Sequence, residues 1–268
     1  MRESDRDDCL GMAAEVAFTM MLAFVQALIL TVAILSILGA KPEVFNSILY
    51  FLGSFLPYEI YNVIRNQIVE IAQTEKGGII VFSSMGTTWT MSTLMVTIKK
   101  SIQRAYNIKE TRPYWKVRLL SVLLGITAVC LIALILNLFI FGLQIAKFLE
   151  SNGHSPDIGF YLRVFHLPFA FLATTALSTV LYRAMPNVRQ QLLEVLPGAI
   201  FFTSLWFLFT YCFGIYVSHI PLYNTTYGAL GTFLILLMWM YLTSLSLLIG
   251  GEVNAEFHRL RTLISPQS

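Results

Sequence analysis

Long apolar runs separated by short polar joints dominate the chain, and their lengths predict membrane-spanning helices. The runs lie at about 12–38, 77–98, 119–143, 162–181, 197–216 and 227–250. Each approaches or exceeds the ~20 residues with which a helix crosses roughly 30 Å of hydrocarbon. Gly39, Lys41 and Pro42 close the first, and Pro197 is expected as the first-turn residue that opens the fifth. Residues 43–75 read differently. Val44, Phe45, Ile48, Leu49, Leu52, Phe55 and Leu56 recur at helical spacing, and beyond Pro57 an apolar series from Ile60 to Ile71 stands opposite Glu59, Asn62, Arg65, Asn66 and Glu70. A single apolar stripe predicts helices that lie along an interface rather than cross it. The expected architecture is therefore all-α: one polytopic membrane helical bundle over 1–268, of about six transmembrane helices plus two extracytoplasmic amphipathic helices.

Composition supports lipid as the solvent. Of 268 residues 56% are hydrophobic and 12% charged, where soluble domains carry about a quarter charged residues. The apolar run nearest the N-terminus is too long for the core of a signal peptide and reads as a retained first span. Cys9, Cys130 and Cys212 are isolated and suggest neither a disulfide framework nor a zinc site. The distribution of positive charge sets the orientation. Thirteen lysines and arginines fall on one side of the alternating spans, seven of them in the loop 99–118, against Lys41, Arg65, Lys76 and Lys147 on the other, with Arg163 at its boundary. The positive-inside rule then places both termini and the basic loop in the cytoplasm.

Catalytic chemistry finds little support. His154, His166, His219 and His258 are scattered singly, without the spacing that converges ligands on a metal. Glu252 and Glu256 share a helix face, but Arg259 and Arg261 follow and surface ion pairs account for them. No phosphate-binding loop, nucleophile elbow or dinucleotide fingerprint occurs. No catalytic residue, metal or cofactor is expected. Tyr106, Tyr114 and Trp115 lie among the cations of the basic loop, a mixture that can hold RNA, yet charge asymmetry and interfacial anchoring explain it through anionic lipid headgroups. Nucleic acid is not expected as a partner; the bilayer, an unidentified solute and a second copy of the chain remain.

Polar residues inside the spans carry more information. On the first span Glu15, Thr19 and Gln26 lie, with Leu22, within about 60° of one another on a helix. On the second, Ser83, Thr87, Thr90 and Thr97 form a similar stripe. Polar faces in lipid are expected to turn toward each other or toward water, which marks a candidate solute pathway. The alternative is that Glu15 reaches the cytoplasmic interface or pairs with Arg183. Ala170, Thr174 and Ser178 repeat every four residues on the fourth span and should admit a close neighbour. Asn224 reads as a helix cap, Tyr223 and Tyr227 as outer-interface anchors, and Gly228 and Gly231 as room for a neighbouring helix.

Several segments in this order resemble the YihY/BrkB family of bacterial inner-membrane proteins, once labelled ribonuclease BN. They are Ala13-Ala14-Glu15, Arg112-Pro113-Tyr114-Trp115-Lys116, Tyr182-Arg183-Ala184-Met185-Pro186-Asn187, Leu196-Pro197-Gly198-Ala199, the run Tyr223–Gly231 with Asn224, Thr226, Tyr227 and Gly228, and the run Gly250–Glu256 with Glu252 and Asn254. The resemblance covers nearly the whole chain. One departure is the first span, where Phe24-Val25-Gln26 replaces the family's Leu-Phe-Pro. The resemblance implies a multi-pass inner (plasma) membrane protein and fixes class and topology rather than chemistry. The leading functional expectation is a transporter or permeation protein, the alternative a non-catalytic envelope or scaffold protein, and the third a membrane-associated RNA-processing enzyme.

Overall fold

A computed structural model describes residues 2–37, 65, 77–108, 110–129, 157–188, 190–218 and 228–264. Six helices account for nearly all of them: α1 (Arg2–Ile37), α2 (Gly77–Ala105), α3 (114–129), α4 (Asp157–Ala184), α5 (Leu192–Ser218) and α6 (Gly228–Ile264). No strand occurs among the described residues. The amphipathic stretch 43–75, apart from Arg65, lies outside them, as do Tyr223, Asn224, Thr226 and Tyr227.

Several helices outrun their apolar runs. α1 begins at Arg2, and α6 continues to Ile264 because its polar second half still buries Asn254 and Ala255. One expectation is corrected. Pro197 does not open the fifth helix, which starts at Leu192 and holds the proline inside. A proline this close to a helix start removes a single backbone donor and leaves the spare N–H groups of the first turn untouched.

Three segments are long and apolar enough to cross a membrane by length and composition: Cys9–Ala27, Leu192–Tyr216 and Phe233–Arg261. Exposed apolar side chains agree, with Phe18, Leu193 and Leu208 on these segments and Phe82, Trp89 and Leu172 on α2 and α4. So much outward apolar surface suits hydrocarbon and would be a liability in water.

The chain groups into two compact units, Met1–Ile98 with Leu208–Leu245, and Lys99–Phe207 with Ser246–Ser268. In the first, Ala17 and Met21 of α1 bury against Met240 of α6, with Phe24, Phe233, Leu237 and Trp239 around them. In the second, α4 packs on α5 through Thr175, whose hydroxyl meets that of Thr203 at 3.1 Å, and through the Phe171–Phe207 and Tyr182–Phe202 ring pairs.

Candidate functional site

In the second unit the ends of five helices meet, and four of the family-like segments come together there. α2 ends cleanly. Asn107 adopts a left-handed backbone (φ 53°), its N–H donates to the Arg104 carbonyl, and the Ile108 N–H donates back to Gln103, a Schellman closure with asparagine in glycine's usual place. Tyr106 N–H takes the Ile102 carbonyl and Arg259 Nη2 the Ala105 carbonyl at 2.8 Å. All four terminal carbonyls of α2 are thereby satisfied.

The loop that follows is tied to its own helix and to the α4–α5 connection. Glu110 forms an ion pair with the buried Lys99, accepts from Gln103 Nε2 at 2.9 Å and accepts from the Arg112 backbone N–H at 2.9 Å. Partial burial works against its charge, but the hydrogen bonds from Lys99, Arg112 and Gln103 and the attraction of Lys99 outweigh it. Together they hold the carboxyl down at about 2. Arg112 then reaches across. Its Nε donates to Asn187 Oδ1 at 2.9 Å and its Nη2 to the Pro186 carbonyl at 3.3 Å, while Asn187 Nδ2 donates to Thr111 at 2.6 Å. The segment around Arg112 is thus clasped to the one ending in Met185-Pro186-Asn187, where proline stops α4.

A second meeting joins α5 to α6. Gly198 lies directly against Gly250 and Asn254, and a Cβ at either glycine would overlap backbone atoms. Asn254 Oδ1 accepts the Gly198 N–H at 2.8 Å, and the Tyr182 hydroxyl donates to the Leu247 carbonyl at 2.6 Å. Farther along the same faces, Glu194 pairs with Arg261 and stands 3.8 Å from His258 Nδ1, whose ring centroid is 6.0 Å from that of Tyr106. Burial pushes the Tyr106 phenol above its ordinary value. The Gln190 amide beside it works the other way, and the Glu194 charge adds to the rise.

Expected residues separate here. Arg112, Pro197, Gly198 and Asn254 belong to the junction; Arg183 and Glu252 are exposed, and the buried neighbour Tyr182 does the holding. Glu256 pairs with Arg259 at 3.4 Å, whereas Arg261 goes to Glu194. Gly228 and Gly231 lie within α6. Lys99, Tyr106, Glu110, Gln190, Glu194 and Gly250 were not singled out as site residues. One signal for Glu110 is present: it is a carboxylate inside a basic loop.

In the first unit, Thr87 Oγ1 donates to the Gln26 carbonyl at 3.0 Å, and Gly86 brings α2 up against the Gln26 side chain. Thr90 donates within α2 to Gly86 and Thr87, Thr97 to Thr93, and Thr19 within α1 to Glu15 and Val16. Thr87, Ser92 and Thr97 are buried. Glu15 and Leu22 are exposed, and α1 instead buries Ala13, Val16, Ala17 and Met21. Ser83 lies in α2, and its side chain is outside the described residues.

These helices and their outward apolar surface define an integral helical membrane protein. The chain belongs to the YihY/BrkB family, matching the family described as virulence factor BrkB over residues 1–267. It is 28% identical over 254 residues to the ribonuclease-like protein YfkH of Bacillus subtilis, covering 94% of this chain and 90% of that one. It is 31% identical over 170 residues to the UPF0761 membrane protein PSHAa0171 of Pseudoalteromonas translucida, 60% of this chain and 52% of that one. It is 26% identical over 255 residues to a UPF0761 membrane protein of Alkalilimnicola ehrlichii, 92% of this chain and 54% of that one. The chain therefore spans about half the length of these UPF0761 relatives. No solved structure matches it.

Proposed function

We propose that the protein is a multi-pass inner-membrane transporter or permeation protein, with both termini in the cytoplasm and a solute path along the facing polar sides of α1 and α2. The observation that carries this reading is the buried polar line on α2. Thr87 is buried and bonded to α1 at Gln26, and farther along the same stripe Thr97 is buried too. Polar groups kept inside a membrane helix are costly, and water or a polar solute along this face would offset that cost. Orientation rests on the lysine and arginine asymmetry. Flux across proteoliposomes, measured over a panel of small solutes, tests the reading: wild type should exceed empty vesicles for at least one solute, and Gln26→Leu should abolish the excess while preserving the fold. Flux indistinguishable from empty vesicles across the panel contradicts it.

A second reading draws on a different observation. Most stripe hydroxyls bond back to their own helix, as expected where a polar face only packs. That favours a non-catalytic envelope or scaffold protein, for which Gln26→Leu would lower membrane yield without any flux to lose. The third, RNA processing, echoes only the name of the YfkH relative. Metal-dependent cleavage by purified protein, lost on Glu252→Gln, would be needed to support it.

A further inference from the structure

We propose that the outer face of α3 binds an anionic phospholipid, its phosphate held at Lys116 and Tyr114 and its acyl chains lying along Leu119, Leu123 and Ile126. The inference is independent of the transport reading, and membrane orientation decides only which leaflet supplies the lipid.

The two sides of α3 differ. At about 100° per residue, Trp115, Leu119, Leu123, Ile126 and Val129 fall within an arc of roughly 120°. All five are more than half exposed, while the opposite side buries Ser121, Leu124 and Ala128. One side therefore packs into the protein, and the other presents an apolar stripe outward. From Leu119 to Val129 the stripe runs about 15 Å, the depth of hydrocarbon in one leaflet. An acyl chain needs no polar partner along such a surface.

Charge gathers at the polar end of the stripe. Tyr114 and Trp115 are 72% and 61% exposed at the start of the helix, and amphipathic rings so placed sit at headgroup level. Lys116 leaves the helix about 100° away from Trp115. Its ammonium nevertheless stands 5.3 Å from the centre of the Trp115 ring. The cation is thus drawn back over the top of the stripe, where a lipid phosphate would lie. No carboxylate neighbours it in the chain: the sequence has no aspartate or glutamate between Glu110 and Glu150, and Glu110 is engaged by Lys99. A zwitterionic lipid suits the stripe equally well, so the charge is what selects. RNA could use the rings and the cation, but not the aliphatic surface behind them.

Trp115 fluorescence in vesicles tests the proposal, with Trp89, Trp206 and Trp239 replaced by phenylalanine. Brominated phosphatidylglycerol, a quencher, is titrated into unlabelled phosphatidylcholine, and brominated phosphatidylcholine is titrated likewise. The anionic lipid should quench Trp115 at a roughly fivefold lower fraction, the effect of about one cation near an anionic surface. Lys116→Gln should remove that preference, and Lys100→Gln, at an exposed position of α2, should keep it. In the chain with all four tryptophans, phosphatidylglycerol should raise the unfolding temperature in detergent more than phosphatidylcholine does, and Lys116→Gln should cancel the difference. The proposal is overturned if the two lipids quench Trp115 alike or stabilise the unaltered chain alike. It is equally overturned if the preference survives Lys116→Gln, if Lys100→Gln removes it as fully, or if a short RNA in solution displaces the anionic lipid.

Discussion

Replacing Gly250 with alanine tests the α5–α6 junction most sharply. The added Cβ would stand 2.7 Å from the Gly198 carbonyl oxygen and 2.8 Å from Phe202 Cβ, and it would also overlap the Tyr182 hydroxyl. Carbon contacts settle at about 3.5–4.0 Å, so the helices must separate by most of an ångström, and two of the three obstacles are not flexible side-chain ends. Overpacking of this kind costs typically about 1–3 kcal/mol. Displacing the Tyr182 hydroxyl from the Leu247 carbonyl adds about 1–3 kcal/mol for a buried phenol left unpaired. Alanine's better helix propensity returns about 1 kcal/mol. The net expectation is a loss of roughly 2–4 kcal/mol, read as a fall of several degrees in the thermal unfolding of detergent-solubilised protein. Gly214→Ala is the control, because nothing lies within 4 Å of its added Cβ. It should be neutral or stabilising by up to about 1 kcal/mol. If Gly250→Ala and Gly214→Ala unfold at the same temperature, the close crossing and the role assigned to these glycines are wrong.

The pair Lys99–Glu110 makes stability depend on acid. Because the folded carboxyl sits at about 2 against an ordinary 4.5, its contribution is complete above 4.5 and drains away as pH falls toward 2. Discounted for its partial exposure, it is about 1–2 kcal/mol. Glu110→Gln should flatten that part of the stability profile, and an unchanged profile between pH 5 and pH 2 would refute the assignment. Arg112→Lys should not replace Arg112, since one ammonium cannot serve both Asn187 and the Pro186 carbonyl in the guanidinium's fork; unfolding about 1–2 kcal/mol below wild type is expected by denaturant titration. For the topology, Ile108→Cys in a background lacking Cys9, Cys130 and Cys212 should be shielded from impermeant thiol reagents in intact cells, and Ser155→Cys should label. The reverse pattern would invert the orientation.

The all-helical membrane class was legible because lipid enforces it: a backbone without water must satisfy itself within the helix. Helix ends were not. Pro197 looked like a first-turn residue, yet α5 starts at Leu192, because residues 192–196 pack and pair through Val195 and Glu194 rather than through a continuous apolar face. The glycines and the asparagine of the family-like segments lie at the junction, since close crossing and a buried amide need those residue types. The meeting of its polar side chains is not written in local spacing. Gln190, Tyr106 and His258 come from three different elements, and no periodicity within one segment reports a meeting between segments. Of the small-residue repeat on α4, Ser178 is buried as expected of a close crossing, while the contact with α5 comes from a neighbouring position. Thr175 rather than Thr174 faces Thr203, a shift of about 100° that sequence spacing alone does not resolve.

The claim that the α1–α2 polar face carries solute is tested most directly by accessibility along it. Single cysteines at Gln26, Thr87, Thr90 and Thr97, and at the exposed apolar positions Phe82 and Trp89, are treated with a charged, water-soluble thiol reagent in reconstituted membranes. The account expects the polar-face cysteines to react from the aqueous phase and the two apolar positions to stay unmodified in lipid. A polar face as unreactive as Phe82 and Trp89 would contradict it and leave these helices as packing surfaces of a scaffold.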